Sequence, residues 1–143
     1  MEFDRGDFTI STCNDRLDIN TIQEFLSKES YWAQNRTIEQ TKIAIENSIC
    51  FGVYSHERQI GFARVVSDRA TFAYLGDVFI LKNFRGRGLS KWLMETIVSH
   101  PDLQELRRWI LATRDAHDLY SHYEFAPLRR PERWMERTAP DAY

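Results

Sequence analysis

The spacing of apolar residues changes along the chain between the continuous runs typical of strands and the three-to-four-residue repeat typical of helices. Residues 8–11 form a short run that predicts an edge strand. Asp18 and Thr37 each precede an apolar stripe of helical spacing, and both are residue types that cap helix starts. Thr37 and Gln40 also have the spacing of a capping box. The first part of the chain therefore predicts a strand and two helices, with an aromatic loop between the helices.

Three strand-like runs occupy the middle of the chain. Residues 50–54 and 60–66 flank a polar turn and so predict a hairpin, and a longer run covers 71–81. This longer run contains Gly76 and Asp77, and a glycine inside a strand is typical of a β-bulge. A bulge here would turn Asp77 out of the regular ladder of the sheet.

The last third of the chain begins with a glycine-rich loop, followed by apolar residues at helical spacing from Leu89 onward. Beyond this helix the pattern predicts a strand at 109–113, a short helix at 115–123, and two last strands, one at Phe125 and one at 134–137. The element order predicts an α/β fold, with helices packed on a mixed, largely antiparallel sheet.

Composition narrows the class of protein. The chain of 143 residues suits one core, so we predict a single domain over 1–143. The formal net charge of −2 and the lack of any basic block argue against nucleic-acid binding. Without a signal-like N-terminus or a long apolar run, we expect a cytoplasmic protein with no membrane partner. Cys13 and Cys50 are too isolated for a metal cluster or a disulfide framework, and the oligomeric state stays open, a homodimer included.

The glycine-rich loop has the residues of an anion site. Arg85, Gly86, Arg87 and Gly88 stand directly before the predicted helix. Glycines let the backbone approach a ligand closely, and the first turn of a helix carries unpaired N–H groups and a partial positive charge. This combination favours a phosphate or pyrophosphate. The dinucleotide fingerprint fits less well because Lys91 stands at its third glycine position, and the sequence contains no Walker loop.

The pattern Arg-x-x-Gly-x-Gly/Ala, here 85–90, resembles motif A of the GCN5-related N-acetyltransferase (GNAT) family. A second segment, 113–125, is similar to the family's Asn-x-x-Ala-x-x-Leu-Tyr-x-x-x-Gly-Phe, with Ala116, Leu119, Tyr120 and Phe125 in register. The strand before motif A, the helix after it and the second segment follow one another in family order. The resemblance implies the GNAT fold and an N-acetyltransferase activity.

The resemblance also implies a cofactor site for acetyl-CoA. The backbone of the strand before motif A would pair with the amides of the pantetheine arm, as an added strand would. The loop would bind the pyrophosphate, and Thr113 stands where the family has an asparagine that contacts the cofactor. The implied cofactor-binding residues are Val78, Phe79, Ile80, Arg85, Gly86, Arg87, Gly88, Leu89, Ser90 and Thr113.

Two residues are candidates for catalysis. The resemblance places Tyr120 near the thioester sulfur, where a phenol could protonate the departing thiolate; packing in the core is the alternative reading of its spacing. Asp77, on the predicted bulge, is a candidate base for the amine, and the alternative is that it bends the strand or pairs with an arginine. The sequence shows no Ser-His-Asp order or activated cysteine, so we expect direct transfer in a ternary complex.

The acceptor site is predicted from aromatic residues. We expect Tyr31, Trp32, Phe72 and Tyr74 to contact the acceptor, with Arg36 and Trp134 as further candidates. The rings would form an apolar wall or a wall for an ammonium group, and half-buried packing is the alternative. The acceptor would be a small-molecule amine or a protein amine.

Two departures from the family pattern favour another class of protein. Thr113 replaces the asparagine and Glu124 replaces a glycine, a residue type that tolerates positive φ. A chain that keeps the fold but has lost turnover would be a non-catalytic acyl-CoA-binding module. We keep this as the alternative to the acetyltransferase.

Overall fold

The protein contains one six-stranded sheet, and its strands lie in chain order from one edge to the other. The computed structural model describes residues 1–140. The strands are β1 (Glu2–Arg5), β2 (Phe8–Ser11), β3 (Ile49–Ser55), β4 (Arg58–Ser67), β5 (Phe72–Ile80) and β6 (Arg108–Ile110). Neighbouring strands are antiparallel, except that β5 and β6 are parallel. The mixed, largely antiparallel sheet expected from the sequence is therefore confirmed.

Helices flank the sheet, and their starts are those that the capping residues predict. The α-helices are α1 (Ile19–Lys28), α2 (Ile38–Glu46), α3 (Leu89–Val98) and the short α4 (His117–Ser121). The Asp18 carboxylate accepts from the Thr21 N–H at 3.2 Å, and Thr37 and Gln40 form both hydrogen bonds of the capping box. No helix within residues 1–140 is long and apolar enough to cross a membrane.

Two clusters of buried side chains, one on each face of the sheet, hold the helices in place. On β3, Phe51 and Val53 pack in the cluster that contains α3, whereas Cys50 packs in the cluster that contains α1. This alternation follows from the two-residue period of a strand. Each fully buried apolar side chain of this size contributes about 1.5–3 kcal/mol relative to an exposed one. The sheet is therefore fixed between α1 and α2 on one side and α3 on the other.

The predicted bulge is present in β5. Phe62 of β4 pairs with Phe79, and Arg64 pairs with Gly76, so β5 has one residue more than β4 between these two pairs. Asp77 lies in this interval with a φ of 54°, in the left-handed region that side chains rarely adopt. The extra residue takes Asp77 out of the ladder, as the sequence predicted.

The N-terminal edge of the sheet differs from the prediction. Residues 8–11 form β2 and not the edge strand, because β1 pairs with β2 and covers that side. The connecting turn uses Gly6, whose φ is 59°. Only Phe3 of β1 is partly buried. A strand this short and polar has no apolar pattern by which it could be predicted.

The two strands predicted for the C-terminal part are wrong. Phe125 packs against the Tyr120 ring, with the ring centroids 6.1 Å apart, and belongs to no strand. Residues 134–137 are not in a strand either, and the Trp134 ring lies 4.7 Å from the guanidinium of Arg108. Both rings gain burial through side-chain contacts, which an apolar pattern does not distinguish from strand pairing.

Glu124 occupies the position at which the family pattern has glycine, and its φ is 69°. This conformation costs a residue with a Cβ about 1–2 kcal/mol. We therefore expect Glu124→Gly to raise the free energy of unfolding by about 1 kcal/mol and the Tm by about 3–5 °C. Thermal unfolding followed by circular dichroism measures this change.

Glu132→Gly is the matched control, because it removes the same charge from a 3₁₀ turn outside the left-handed region. We expect this control to lower the Tm slightly. An unchanged or lower Tm for Glu124→Gly would contradict the strain argument.

Candidate functional site

The glycine-rich loop joins β5 to α3 and has the backbone conformation that its glycines permit. Gly86 and Gly88 have φ values of 79° and 76°. A Cβ atom at either residue would have no protein atom within 4 Å, so the space in front of the loop is open. Gly88 is the N-cap of α3 and has no side chain to cap it. The first N–H groups of α3 are therefore open to a ligand.

A cavity of about 380 Å³ lies against this loop. The Arg85 Nε donates to the Ile80 carbonyl at 2.9 Å, which ties the loop to the end of β5. The Arg87 guanidinium lies 5.4 Å from the ring centroid of Phe84. Arg85 lines the cavity, and Arg87 directly precedes the N-cap Gly88 of α3, whose start favours an anion. The cavity is lined by Ile80, Phe84, Arg85, Gly86, Gly88, Leu89, Ser90, Lys91 and Leu119.

The edge of β5 next to the cavity lacks a strand partner along two thirds of its length. β6 ends at Ile110, opposite Tyr74, whereas β5 continues to Ile80. Within the described residues, 75–80 therefore pair with β4 only. The buried Phe79 ring stacks on Phe25 at 4.0 Å and holds this part of β5 against α1. A stretch of strand with one open edge can pair with an extended ligand that carries amides.

Tyr120, the candidate acid, lies on α4 next to the cavity residue Leu119. Its side chain is 9% exposed and packs in the same cluster as α3. Burial raises the pKa of Tyr120 to about 12, with smaller contributions from Tyr31 and Asp115. The phenol therefore stays protonated at neutral pH. The ring is buried, as the packing alternative requires, and the preceding residue Leu119 lines the cavity.

Thr113 caps the turn that leads into α4. Its hydroxyl accepts from the Ala116 N–H at 3.0 Å and from the Asp115 N–H at 3.4 Å. A threonine can thus accept hydrogen bonds from the backbone N–H groups at the position where the family pattern has asparagine. Whether Thr113 also contacts the cofactor remains a prediction.

The loop between α1 and α2 is bonded to the segment before α4. The Tyr31 hydroxyl accepts from the Arg114 N–H at 2.7 Å, and the Arg114 guanidinium lies 3.9 Å from the centroid of the Tyr31 ring. The Trp32 ring meets the Tyr31 ring edge-on at 5.1 Å. Tyr31 therefore contacts the segment that leads into α4, and Trp32 packs next to Tyr31.

The Asp77 carboxylate is the centre of a buried polar cluster. Its Oδ2 accepts from Arg36 at 2.6 Å and from the Arg64 Nε at 2.8 Å, and its Oδ1 accepts from the Trp32 Nε1 at 3.1 Å. The side chain of Asp77 is 3% exposed. We call Trp32, Arg36, Arg64 and Asp77 the Asp77 cluster. The structure thus contains the arginine pairing that the sequence left as the alternative for Asp77.

Burial raises the pKa of Asp77, but the hydrogen bond from Arg36 and the charges of Arg64 and Arg36 outweigh burial. The pKa therefore lies below its ordinary value of 3.8. A carboxylate held in this way is a weak proton acceptor. The geometry favours a positioning role for Asp77 over the role of general base.

Arg64 is the residue of this cluster that the sequence analysis missed. It is the one charged residue in the run 60–66, which is otherwise apolar or glycine. A charge inside a predicted strand needs a buried partner, and that signal could have linked Arg64 to the bulge on the next strand.

The other predicted acceptor residues fall into two groups. Phe72 and Tyr74 are 37% and 39% exposed, which is compatible both with contact to an acceptor and with half-buried packing. They point to the same face of the sheet as Arg64, because Val66 on that face pairs with Tyr74. Trp134 lies elsewhere: it packs on β6 and lines a different cavity, formed with the C-terminal segment.

Removing the charge of Asp77 should destabilise the protein, because two largely buried guanidinium groups would lose their carboxylate. We expect Asp77→Asn to lower the free energy of unfolding at pH 7 by about 3–5 kcal/mol. Since the folded pKa is lowered, this contribution is complete above about pH 4 and is lost as the pH falls through the folded pKa. Urea unfolding at pH 7 and at pH 3 measures both effects.

Asp102→Asn is the matched control, since the Asp102–Arg69 pair is about half exposed on both sides. It should change stability by less than about 1 kcal/mol. An equal loss in the two variants, or a loss for Asp77→Asn that persists undiminished at low pH, would show that the Asp77 cluster does not stabilise the fold.

Known proteins resemble the chain in sequence and in fold. Residues 19–125 match the model of the "Acetyltransferase (GNAT) family". A protein of Gibberella zeae named "Putative acetyltransferase FG08082" is 30% identical in an alignment of 138 residues, and the match covers 81% of this chain and 77% of the relative. A crystal structure of a "putative acetyltransferase belonging to the gnat family" from Xanthomonas campestris pv. campestris is 51% identical, with a TM-score of 0.91 over 93% of this chain and 94% of that one.

A more distant structure shares the fold alone. It is a "predicted acetyltransferase with acetyl-CoA" from Clostridium acetobutylicum, 12% identical, with a TM-score of 0.66 over 92% of this chain and 96% of that chain. The family match and the similar relatives define an acetyltransferase. The chain belongs to the GNAT family of acetyltransferases, as the resemblance in the sequence implied.

Proposed function

We propose that the protein transfers an acetyl group from acetyl-CoA to an amine, directly and within a ternary complex. One observation carries the proposal: the open glycine loop, the unpaired edge of β5 and the α4 residue before Tyr120 all adjoin one cavity. The acetyl-CoA named with the Clostridium structure of the same fold supports this choice of cofactor.

The residues present fit the group that the family uses. The loop offers helix N-terminal amides and two arginines to a pyrophosphate, with no Cβ in front of either glycine. The edge formed by 78–80 offers backbone groups to the amides of a pantetheine arm. Bound acetyl-CoA would supply an acetyl group activated as a thioester.

Tyr120 holds a proton on its hydroxyl at neutral pH, since burial raises its pKa to about 12. We assign it the role of acid toward a leaving thiolate. Asp77 is assigned a positioning role, because its carboxylate holds Trp32 and Arg36 at the side of the site where an acceptor would enter. This revises the catalytic role that the sequence suggested for Asp77.

The burial and protonation of Cys50, the cysteine on β3, agree with direct transfer. Cys50 is 2% exposed, and burial raises the pKa of its thiol to about 12. A buried, protonated thiol is a poor nucleophile. An acetylated Cys50 is therefore not expected on the reaction path.

Two kinetic measurements test the proposal. Acetyl-CoA and a panel of amines are varied together while thiol release is measured, and products are identified by mass spectrometry. A ternary complex gives intersecting double-reciprocal plots and an N-acetylated product. Parallel plots, or an acetylated protein formed from acetyl-CoA alone, would overturn direct transfer.

The same assay separates the alternatives for the acceptor and for turnover. Small amines and lysine-containing peptides are compared, which distinguishes a small-molecule acceptor from a protein acceptor. A thermal shift with CoA but no thiol release with any amine would favour the non-catalytic module. At the two departures that suggested this module, the Thr113 hydroxyl accepts from the Ala116 N–H and Glu124 has a positive φ.

A further inference from the structure

A second, larger cavity lies at the β6 edge of the sheet. Its volume is about 1050 Å³. This is at the upper end of the range of about 300–1,000 Å³ that is usual for ligand sites. We call it the C-terminal cavity; it is bounded by the end of α3, the chain that leads into β6 and residues 123–134. It shares no lining residue with the cavity at the glycine-rich loop, so the two cavities are separate.

The strand β6 forms one edge of the sheet and pairs with β5 alone among the described strands. The Arg108 N–H donates to the Thr71 carbonyl at 3.3 Å, so the backbone of Arg108 faces β5. In a strand, the backbone groups of successive residues point in opposite directions. The N–H and the carbonyl of Trp109 therefore face outward, and Trp109 also lines the C-terminal cavity. An extended peptide can pair with such outward groups as an added strand.

Residues 126–133, which we call the crossing segment, pass around this open edge. Before the segment, the Phe125 ring meets the Trp109 ring edge-on, with the centroids 6.3 Å apart. After the segment, the Trp134 ring lies 4.7 Å from the Arg108 guanidinium. Arg108 and Trp109 are neighbours on a strand, so their side chains lie on opposite faces of the sheet. The crossing segment therefore joins one face of the sheet to the other.

The crossing segment leaves the edge of β6 unpaired. It contains Pro127 and Pro131, which have no N–H to donate to a neighbouring strand. Pro131 also begins a 3₁₀ turn. In the part of the chain that the structure describes, no backbone hydrogen bond joins β6 to the crossing segment. The C-terminal cavity is the gap that remains between them.

The lining of the C-terminal cavity is positively charged. It contains five arginines and two glutamates, so its formal charge is +3, whereas the whole chain has −2. All five arginines are exposed, and none of them forms an ion pair within residues 1–140. Like charges on the two walls of a cavity repel each other and favour an anionic ligand between them. Two of the arginines stand at the start of β6 and three on the crossing segment: Arg107, Arg108, Arg129, Arg130 and Arg133.

These two features together favour a peptide ligand. The outward N–H and carbonyl of Trp109 match the amides of a peptide backbone. The guanidinium groups match carboxylates, which an arginine binds through two parallel hydrogen bonds. A nucleic acid would supply anionic phosphates but no amide backbone to pair with the strand.

From these observations we infer that the C-terminal cavity binds an extended acidic segment of another protein. The segment pairs with the backbone of Trp109 as an added strand, and its carboxylates pair with the arginines on the two walls. The inference goes beyond the proposed function, because it concerns a different cavity and a binding step only. Its tests therefore do not depend on acetyl transfer.

Matched peptides test the inference on the unmodified protein by isothermal titration calorimetry. The first is a blocked hexapeptide in which glutamate and valine alternate, and the second has glutamine in place of each glutamate. One charge-assisted hydrogen bond corresponds to roughly tenfold to hundredfold in affinity, so the acidic peptide should bind at least about tenfold more tightly. Equal affinities, or no binding of either peptide, would overturn the inference. The arginines would then only protect the sheet edge against aggregation.

Hydrogen exchange at two neighbouring amides tests the added strand. The Arg108 N–H is already bonded to Thr71, whereas the Trp109 N–H faces outward. Saturation with the acidic peptide should slow exchange of the Trp109 amide by about tenfold or more and leave the Arg108 amide nearly unchanged. If the acidic peptide binds and the Trp109 amide exchanges as before, charge alone holds the peptide and the added strand is wrong.

Two double variants separate the cavity from the total charge of the protein. Arg129→Gln/Arg130→Gln removes two charges from the crossing segment. Arg58→Gln/Arg69→Gln removes two exposed arginines outside the C-terminal cavity and is the matched control. Only the first variant should lose affinity for the acidic peptide, by roughly tenfold or more. Equal losses would mean that binding depends on net charge alone, which would overturn the site.

Two further measurements identify other occupants. A short oligothymidylate is titrated beside the acidic peptide, and tighter binding of the oligonucleotide would assign the cavity to nucleic acid. Sedimentation is followed over a range of protein concentrations, and self-association that the acidic peptide reverses would assign the cavity to a second copy of this chain. Either result would overturn the inference, whereas a protein that stays monomeric and prefers the acidic peptide supports it.

Discussion

Gly88→Leu is expected to reduce the affinity for acetyl-CoA by roughly a hundredfold, which is about 2.7 kcal/mol. The Cβ of residue 88 would point into space free of protein atoms, so the added side chain would stand where the ligand must approach the first N–H groups of α3. Each lost hydrogen bond to a charged phosphate costs about 1.5–3 kcal/mol, and losing one or two accounts for the expected change. Isothermal titration calorimetry with acetyl-CoA measures the affinity.

The matched control for this variant is Gly6→Leu in the turn between β1 and β2. Gly6 has a φ of 59° and, like Gly88, has no protein atom within 4 Å of an added Cβ. Both variants therefore carry the same kind of backbone strain, about 1–2 kcal/mol of stability. Only Gly88→Leu should lose affinity. Undiminished binding by Gly88→Leu would mean that this loop does not hold the coenzyme. Equal losses of affinity in both variants would mean that backbone strain, and not the position of residue 88, causes the loss.

The parts of the site that could be predicted from the sequence are those that local chemistry determines. The loop 85–88 needs glycines for its left-handed backbone, and the start of α3 follows directly in the chain. The caps at Asp18 and Thr37 are likewise settled by residues three positions apart. In each case the residues that specify the structure are neighbours in sequence.

The Asp77 cluster could be predicted only in part, because its members are distant in sequence. Arg36 is separated from Asp77 by 41 residues, and Arg64 by 13. The Gly76–Asp77 pair signalled the bulge, but which side chains meet the displaced carboxylate depends on how the α1–α2 loop packs over β5. The pairing of Asp77 with two arginines follows from that long-range packing.

Departures from a family pattern had different structural consequences at two positions. Thr113 replaces an asparagine and still satisfies the backbone N–H of Ala116 with its hydroxyl. Glu124 replaces a glycine and keeps the same backbone region at the expense of conformational strain. The first departure is chemically conservative and the second is not.

Tyr120→Phe is expected to lower kcat by about 10²–10⁴-fold, the usual contribution of a positioned general acid, with the affinity for CoA nearly unchanged. The ring keeps its packing against Phe125, because only the hydroxyl is removed. Tyr123→Phe is the matched control, since the Tyr123 hydroxyl donates to the Lys91 carbonyl outside the proposed reaction path. That control should cost about 1 kcal/mol of stability and leave kcat unchanged.

The pH dependence gives a second, independent test of the role of Tyr120. A group that donates a proton is lost to catalysis only as the pH rises through its pKa, and burial places that of Tyr120 at about 12. The unmodified protein should therefore show no alkaline loss of kcat attributable to Tyr120 up to about pH 10. An alkaline fall of kcat with an apparent pKa near 8 or 9 would show that the proton comes from another group. The same would follow if Tyr120→Phe turned over at the rate of the unmodified protein. The buried phenol would then only pack in the core.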